Sequence, residues 1–144
     1  MSTEDNKALV RRAIEEVWNQ GNVALVDDLY APNVVYHNPG VVDVHTREDF
    51  KRLVTAFRSA FPDFQMTIED LIAEGDRVGF RYTFRGTNTG DFVMPMPLPA
   101  TGKQVTMTGI ALDRLAGGKF VEILDMSDSL GLLQQLGLIP MPGQ

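Results

Sequence analysis

The hydrophobic pattern of the chain changes period once. In the first sixty residues apolar positions recur at helical spacing. Leu9, Val10, Ala13, Ile14, Val17 and Trp18 make one stripe, with Ser2 or Thr3 placed to cap the helix and Asn19-Gln20-Gly21-Asn22 to end it. A shorter helix follows from about Val23 to Tyr30 on Leu25, Val26 and Leu29, and Pro32 blocks its continuation. Asn33 to His37 reads as a short strand closed by Asn38-Pro39-Gly40, and Val41 to His45 as a loop or irregular extension. Thr46 then opens a third helix, with Asp49 as a variant capping box and Phe50, Leu53, Val54, Phe57 and Phe61 as its buried face.

From Phe64 onward the period is two. Phe64, Met66 and Ile68 alternate with polar residues, and Val78, Phe80, Tyr82 and Phe84 do so across the Glu74-Gly75-Asp76 turn. Gly86 to Lys103 is a long loop whose Met94-Pro-Met-Pro-Leu-Pro run suits a flap or pocket rim. A long strand, Gln104 to Leu115, leads through Gly117-Gly118 into a last strand from Phe120 to Met126. Strict alternation puts Val121, Ile123, Asp125 and Ser127 on one face of that strand and Phe120, Glu122, Leu124 and Met126 on the other. Asp128 or Ser129 caps a final helix on Leu130, Leu133 and Leu136, stopped by Gly137. Helices gathered early and strands late predict an α+β fold, residues 1–144 as one domain, with a mostly antiparallel sheet covered by helices on one face.

Composition narrows the function classes. Apolar residues at 44% in 144 positions are enough for a substantial core. A net charge of −6 argues against nucleic acid and against an anionic membrane surface as partners. Cysteine is absent, so thiolate chemistry and disulfides are excluded. The acidic, polar start is unlike a signal peptide, which makes the cytoplasm the expected location. With His37 and His45 as the only histidines and no His-Glu-x-x-His pattern, no metal is expected. A phosphate-binding loop and a Gly-x-Ser-x-Gly elbow are also missing.

What remains is carboxylate and imidazole proton transfer. Asp125 stands near the end of an apolar strand, where a carboxylate is costly unless it is hydrogen-bonded or functional. Desolvation there raises its proton affinity and suits it to general acid–base work; the alternative is a structural carboxylate tied to backbone amides. His37, at the end of its short strand, is either a second proton carrier or a ring closing a turn. Trp18 and Tyr36 are candidates for walls of an aromatic site, or are plain core. Arg81 and Arg85 share a strand face, either in solvent or orienting an ester or carboxylate. Met94, Met96 and Leu98 suit a hydrophobic lid, or pack on their own domain or a partner.

Several segments together resemble one family. They are Tyr36-His-Asn-Pro-Gly, Phe61-Pro-Asp-Phe, Ile68-Glu-Asp-Leu-Ile-Ala-Glu-Gly-Asp-Arg-Val, Phe84-Arg-Gly-Thr-Asn-Thr-Gly, Ala100-Thr-Gly-Lys, Val121-Glu-Ile-Leu-Asp and Leu130-Gly-Leu-Leu-Gln-Gln-Leu-Gly. They are similar to the SnoaL-like polyketide cyclases, or ester cyclases, over nearly the whole chain. The resemblance implies the cone-shaped nuclear transport factor 2-like fold, a curved sheet wrapped around the N-terminal helices with a deep pocket. It also implies a homodimer through the outer sheet face. Characterised members close a ring by intramolecular aldol condensation on an aromatic polyketide methyl ester, with no metal or cofactor. Their acid–base aspartate on a late strand matches Asp125, and a recurrent pocket His matches His37. Leu124 stands where the family often has Trp. Asn88 stands where Gly-Thr-His-x-Gly has His, and is taken here as substrate-binding.

Three functional readings follow. The first is an aldol-type cyclase acting on a small hydrophobic or aromatic substrate, with Asp125 and His37 catalytic and Trp18, Tyr36, Arg81, Asn88, Met94 and Met96 around the substrate. The second is another enzyme on the same cone, an epoxide hydrolase, isomerase or dehydratase, for which Asp125 with Arg81 would supply part of a water-positioning cluster. The third is a ligand-binding or structural dimer without catalysis.

Overall fold

The computed structural model describes residues 1–94, 96–140 and 143; Pro95 of the flap segment lies outside the described residues. Helix α1 (Thr3–Arg12) is capped by Ser2 in a reciprocal box with Asp5, and it runs on into a wider π-helical segment, Ala13–Asn19. The stripe read from the sequence is buried from Val10 to Trp18. A 3₁₀ turn, Val23–Leu25, leads into the single-turn helix α2 (Val26–Leu29).

Strand β1 (Tyr30–Asn38) begins earlier than the sequence suggests, because Tyr30 is already extended at φ −118° and ψ 141°. Pro32 therefore sits inside a strand. It falls where the ladder shifts register between Tyr30 and Val35, a place where a missing N–H is tolerated. Val41 to His45, expected as a loop, contains a short edge strand, β2 (Val42–Val44), paired with the end of β1. Helix α3 (Arg47–Ala60) is capped by Thr46, whose hydroxyl accepts the Asp49 N–H at 3.1 Å; Asp49 itself binds Arg52.

The remaining strands are β3 (Gln65–Glu74), β4 (Arg77–Thr87), β5 (Gln104–Ala116) and β6 (Lys119–Ser127), followed by helix α4 (Ser129–Gln135). They form one curved, unclosed six-stranded sheet in the order β2-β1-β6-β5-β4-β3. Every pair is antiparallel except β1 with β6. Helix α1 packs against β3 and β4, α3 against β1, and α4 against β5, so the helices line the concave face. The α+β architecture expected from the pattern is the one observed. No helix among the described residues is long and apolar enough to cross a membrane.

The faces of β6 depart from strict alternation. Arg114 pairs with Glu122 and Leu115 with Phe120, so Val121 is an extra residue, a bulge. The slip sends Phe120 inward beside Ile123 and Asp125, not outward with Leu124 and Met126. Phe120 then stacks on Tyr30 at 4.7 Å between ring centroids, and Tyr30 meets Phe50 at 4.5 Å. This aromatic layer closes one end of the space between helices and sheet.

Candidate active site

Three strands deliver the central group. Asp125 comes from β6, Tyr36 from β1 and Tyr82 from β4, all on the concave face. The Tyr36 hydroxyl donates to one carboxylate oxygen of Asp125 at 2.5 Å, and the Tyr82 hydroxyl donates to the other at 2.8 Å. Burial lifts the Asp125 carboxyl above the usual carboxylate range, while the two phenol bonds offset part of that rise. Both phenols are themselves pushed upward, first by burial and then by the Asp125 charge, so they are fixed as donors. Below this cluster, the Asn38 amide donates to the Ser127 hydroxyl at 2.9 Å, and Ser127 meets Ser129 at 3.2 Å.

Tyr82 reaches Asp125 across β5 only because residue 109 is glycine. Gly109 stands opposite Tyr82 in the ladder, and a Cβ there would lie 2.3 Å from the phenol oxygen. No ordinary side chain fits at that distance, so the glycine's lack of one is what opens the path.

The carboxylate faces an inner chamber with apolar walls that include Ile14, Trp18, Phe50, Phe64, Phe84 and Met107. An outer chamber adjoins it, sharing Asn38, Phe57, Met107 and Ser127, and is bounded by α4 and by Phe92, Met96 and Leu98 of the β4–β5 segment. Apolar walls with a few convergent polar groups are the chemistry of a small-molecule site.

The residues singled out from sequence divide sharply. Asp125, Trp18 and Tyr36 line the inner chamber, and Met96 lines the outer one while remaining half exposed to solvent. Met94 packs against the edge of the core and lines neither chamber. His37 is corrected by alternation. Its neighbours Tyr36 and Asn38 face the chamber, so His37 projects to the other side, 42% exposed and paired with Asp43 of β2. Arg81 is corrected in the same way: beside inward Tyr82, it lies outside with Nε 2.7 Å from Asp70. The cluster of Asp125 with Arg81 that an epoxide-opening site would want is therefore not assembled.

Asn88 is fully buried but serves the flap. Its amide donates to the carbonyls of Ala60 and Gly90, and its oxygen accepts from the backbone and hydroxyl of Thr101. A Cβ on Gly90 would fall 1.9 Å from the Ser59 carbonyl oxygen, so the flap's root is pressed directly onto α3. Phe92 and Leu98 then bridge across the flap.

Sequence reasoning missed Tyr82, Asn38, Ser127 and Asp113, all of which line the inner chamber. For Asp113 a signal existed. The parity of Val105, Met107, Ala111 and Leu115 on β5 places it on the buried face.

Known proteins share the sequence pattern and the fold. A family model described as SnoaL-like polyketide cyclase matches residues 8–136. Aklanonic acid methyl ester cyclase DnrD of Streptomyces peucetius is 31% identical over 143 residues, covering 95% of this chain and 92% of that protein. Among solved structures, TsrD from Streptomyces laurentii superposes with a TM-score of 0.83 at 26% identity, over 96% of this chain and 99% of that one. IdmH from Streptomyces antibioticus superposes with a TM-score of 0.77 at 30% identity, over 92% and 98%.

Proposed function

The chain belongs to the SnoaL-like polyketide cyclase family, and from that premise we propose that it closes a ring in an aromatic polyketide ester by an intramolecular aldol reaction, with Asp125 as the proton carrier. The observation that carries this reading is Asp125 itself, a carboxylate raised by burial, held in place by two phenols and facing an apolar chamber.

The chemistry balances without an external reagent. The Asp125 carboxylate removes a proton from a carbon next to a carbonyl, leaving an enolate delocalised into the substrate's aromatic system. That carbon attacks a second carbonyl of the same molecule, forming the carbon–carbon bond and an alkoxide. The alkoxide takes the proton back from Asp125. The product is an isomer of the substrate, and no metal or redox cofactor enters the balance. Tyr36 and Tyr82 hold the carboxylate's orientation, and the aromatic walls align the two reacting carbons, a contribution comparable to that of the base. Asp125→Asn is the test. It keeps the shape and an acceptor for one phenol, the other phenol then accepting from the amide, and turnover of aklanonic acid methyl ester, followed chromatographically, should all but vanish. Turnover at the wild-type rate would remove Asp125 from the mechanism.

A homodimer through the outer sheet face belongs to the same proposal. Ile110 pairs with Met126 and Leu112 with Leu124 on that face, and Ile72 lies beside them across Gly79. Ile72, Ile110 and Met126 are 73%, 60% and 63% exposed, a contiguous apolar patch of the kind that marks an interface. Light scattering at micromolar concentration should give twice the chain mass, and Ile110→Glu should halve it.

A further inference from the structure

The chamber holds a second carboxyl for which the ring closure has no use. Asp113 lies on β5 two residues from Ala111, the ladder partner of Asp125, and itself faces Ile123. That diagonal separates the two carboxyls by roughly 7–8 Å at the backbone. Asp113 lines the chamber and is 5% exposed; its Oδ1 is fully buried with no hydrogen-bond partner, which leaves Oδ2 as the oxygen that can meet a guest. Carboxylates that serve structure are bonded, as Asp63 is to the backbone and hydroxyl of Thr87.

The surroundings offer no countercharge. In the ladder Asp113 stands between Val78 of β4 and Ile123 of β6, and the chamber it lines is walled by Tyr30 from β1, Phe80 and Tyr82 from β4, Asp125 from β6, and apolar residues of the helices. No Lys, Arg or His is among the described residues that line it. Arg114, next in sequence, faces the other way toward Glu122. The Asp125 carboxylate already accepts from two phenols.

We propose that Asp113 is a specificity-determining residue: its carboxyl O–H donates to a neutral oxygen, a ketone, quinone or ester carbonyl, on the part of the guest remote from the reacting carbon. Burial, and then the like charge of Asp125, raise the proton affinity of this carboxyl. With no countercharge on the chamber wall, burial favours the neutral, protonated form. A neutral carboxyl has one hydrogen to give, and a guest oxygen supplies the acceptor that the protein does not. A hydrocarbon of the same outline would leave the donor unmet and bind less well. The proposal rests on reading the chamber as a substrate site. It does not depend on Asp125 being the base.

The test uses 9-fluorenone and fluorene, rigid planar probes that differ by one carbonyl oxygen. Binding is read at pH 7 by quenching of Trp18, the chain's single tryptophan and a wall of the chamber. Wild type should prefer the ketone by about tenfold. Asp113→Val should lose that preference and also melt at higher temperature, because an unpartnered buried carboxyl has gone. Asp113→Asn, close in shape and still a donor, should keep most of the preference. As a measurement that needs no variant, the carbonyl stretch of bound fluorenone should lie below its value in hydrocarbon solvent. Equal binding of the two probes, no binding of either, a ketone preference that survives in Asp113→Val, or an unshifted stretch would each overturn the proposal. None of these outcomes bears on Asp125→Asn turnover, so the two readings fail separately.

Discussion

The concave and convex faces of the sheet are built from the same strands, yet they hold their charges in opposite ways. Inside, Asp113 is buried and Asp125 mostly so, and the proton affinity of both is raised. Outside, Arg81 is paired with Asp70 and His37 with Asp43, each pair half open to solvent that screens it. Tyr36 and His37 are neighbours in sequence, as are Arg81 and Tyr82, so residue type does not account for the difference. A one-residue step in a strand moves a side chain between two dielectric environments, and that step decides whether it can do acid–base chemistry.

The largest expected effect is a break in this contrast at the catalytic position. Asp125→Asn should lower kcat by roughly 10²–10⁴-fold, the range for removing a positioned general base, with no loss of melting temperature. Its outer counterpart, His37→Gln, should leave kcat unchanged and stability within about 0.5 kcal/mol. A large kcat loss in His37→Gln would mean that the outward placement of the ring is not the working one.

Two glycines, one on each face of the sheet, sharpen the comparison next. Gly109→Ala on the inner face forces a methyl into the Tyr82 phenol and should cost about 1–3 kcal/mol in denaturant unfolding, as overpacking does. Gly79→Ala on the outer face meets Ile72, Leu112 and the Ala111 carbonyl, none closer than an ordinary 3.6 Å, and should be close to neutral. Equal costs at the two positions would show that the inner face yields as easily as the outer.

A smaller effect concerns pH and rate. The phenol bonds lower the proton affinity of Asp125, so Tyr82→Phe should raise it. The base form then appears at higher pH, and the ascending limb of the pH–rate profile moves to the alkaline side. Activity should therefore fall more at pH 6 than at pH 8. An acid-side shift would mean that Tyr82 acts on the substrate instead.

The pH dependence of stability should be the subtlest difference between the faces. Asp113 and Asp125 have raised proton affinity in the folded state, so their contribution is fully present below the unfolded carboxylate value and is lost as pH rises through their folded values. Asp63, at the surface, is lowered chiefly by the Thr87 backbone bond; its contribution is present above the unfolded value and is lost as pH falls through its folded one. Chemical denaturation across pH should give a decline on the alkaline side that Asp113→Asn reduces, and an acid-side decline that Asp63→Asn reduces.

Much of the architecture was legible in the residues because it depends on local period. The stripe from Val10 to Trp18, the alternation of Val78 to Phe84 and the turn at Gly117-Gly118 each announce their element within a few positions. Asp125 was legible for the same reason, as an acid near the end of a strand otherwise apolar but for Glu122. The inward side of β6 was legible only in part. The Val121 bulge reverses Phe120, and a bulge is set by the register of the neighbouring strand.

The sequence by itself determined most of the elements, the α+β class, and Asp125 as a carboxylate out of place among hydrophobic neighbours. Tertiary structure alone decided which groups meet that carboxylate. Tyr36 and Tyr82 stand 89 and 43 positions from Asp125, and Gly109 opens the path between them. It likewise turned His37 and Arg81 outward and left Asp113 inside without a partner. The physical reason is that desolvation and hydrogen bonding are properties of a place, and strand pairing between distant segments makes the place.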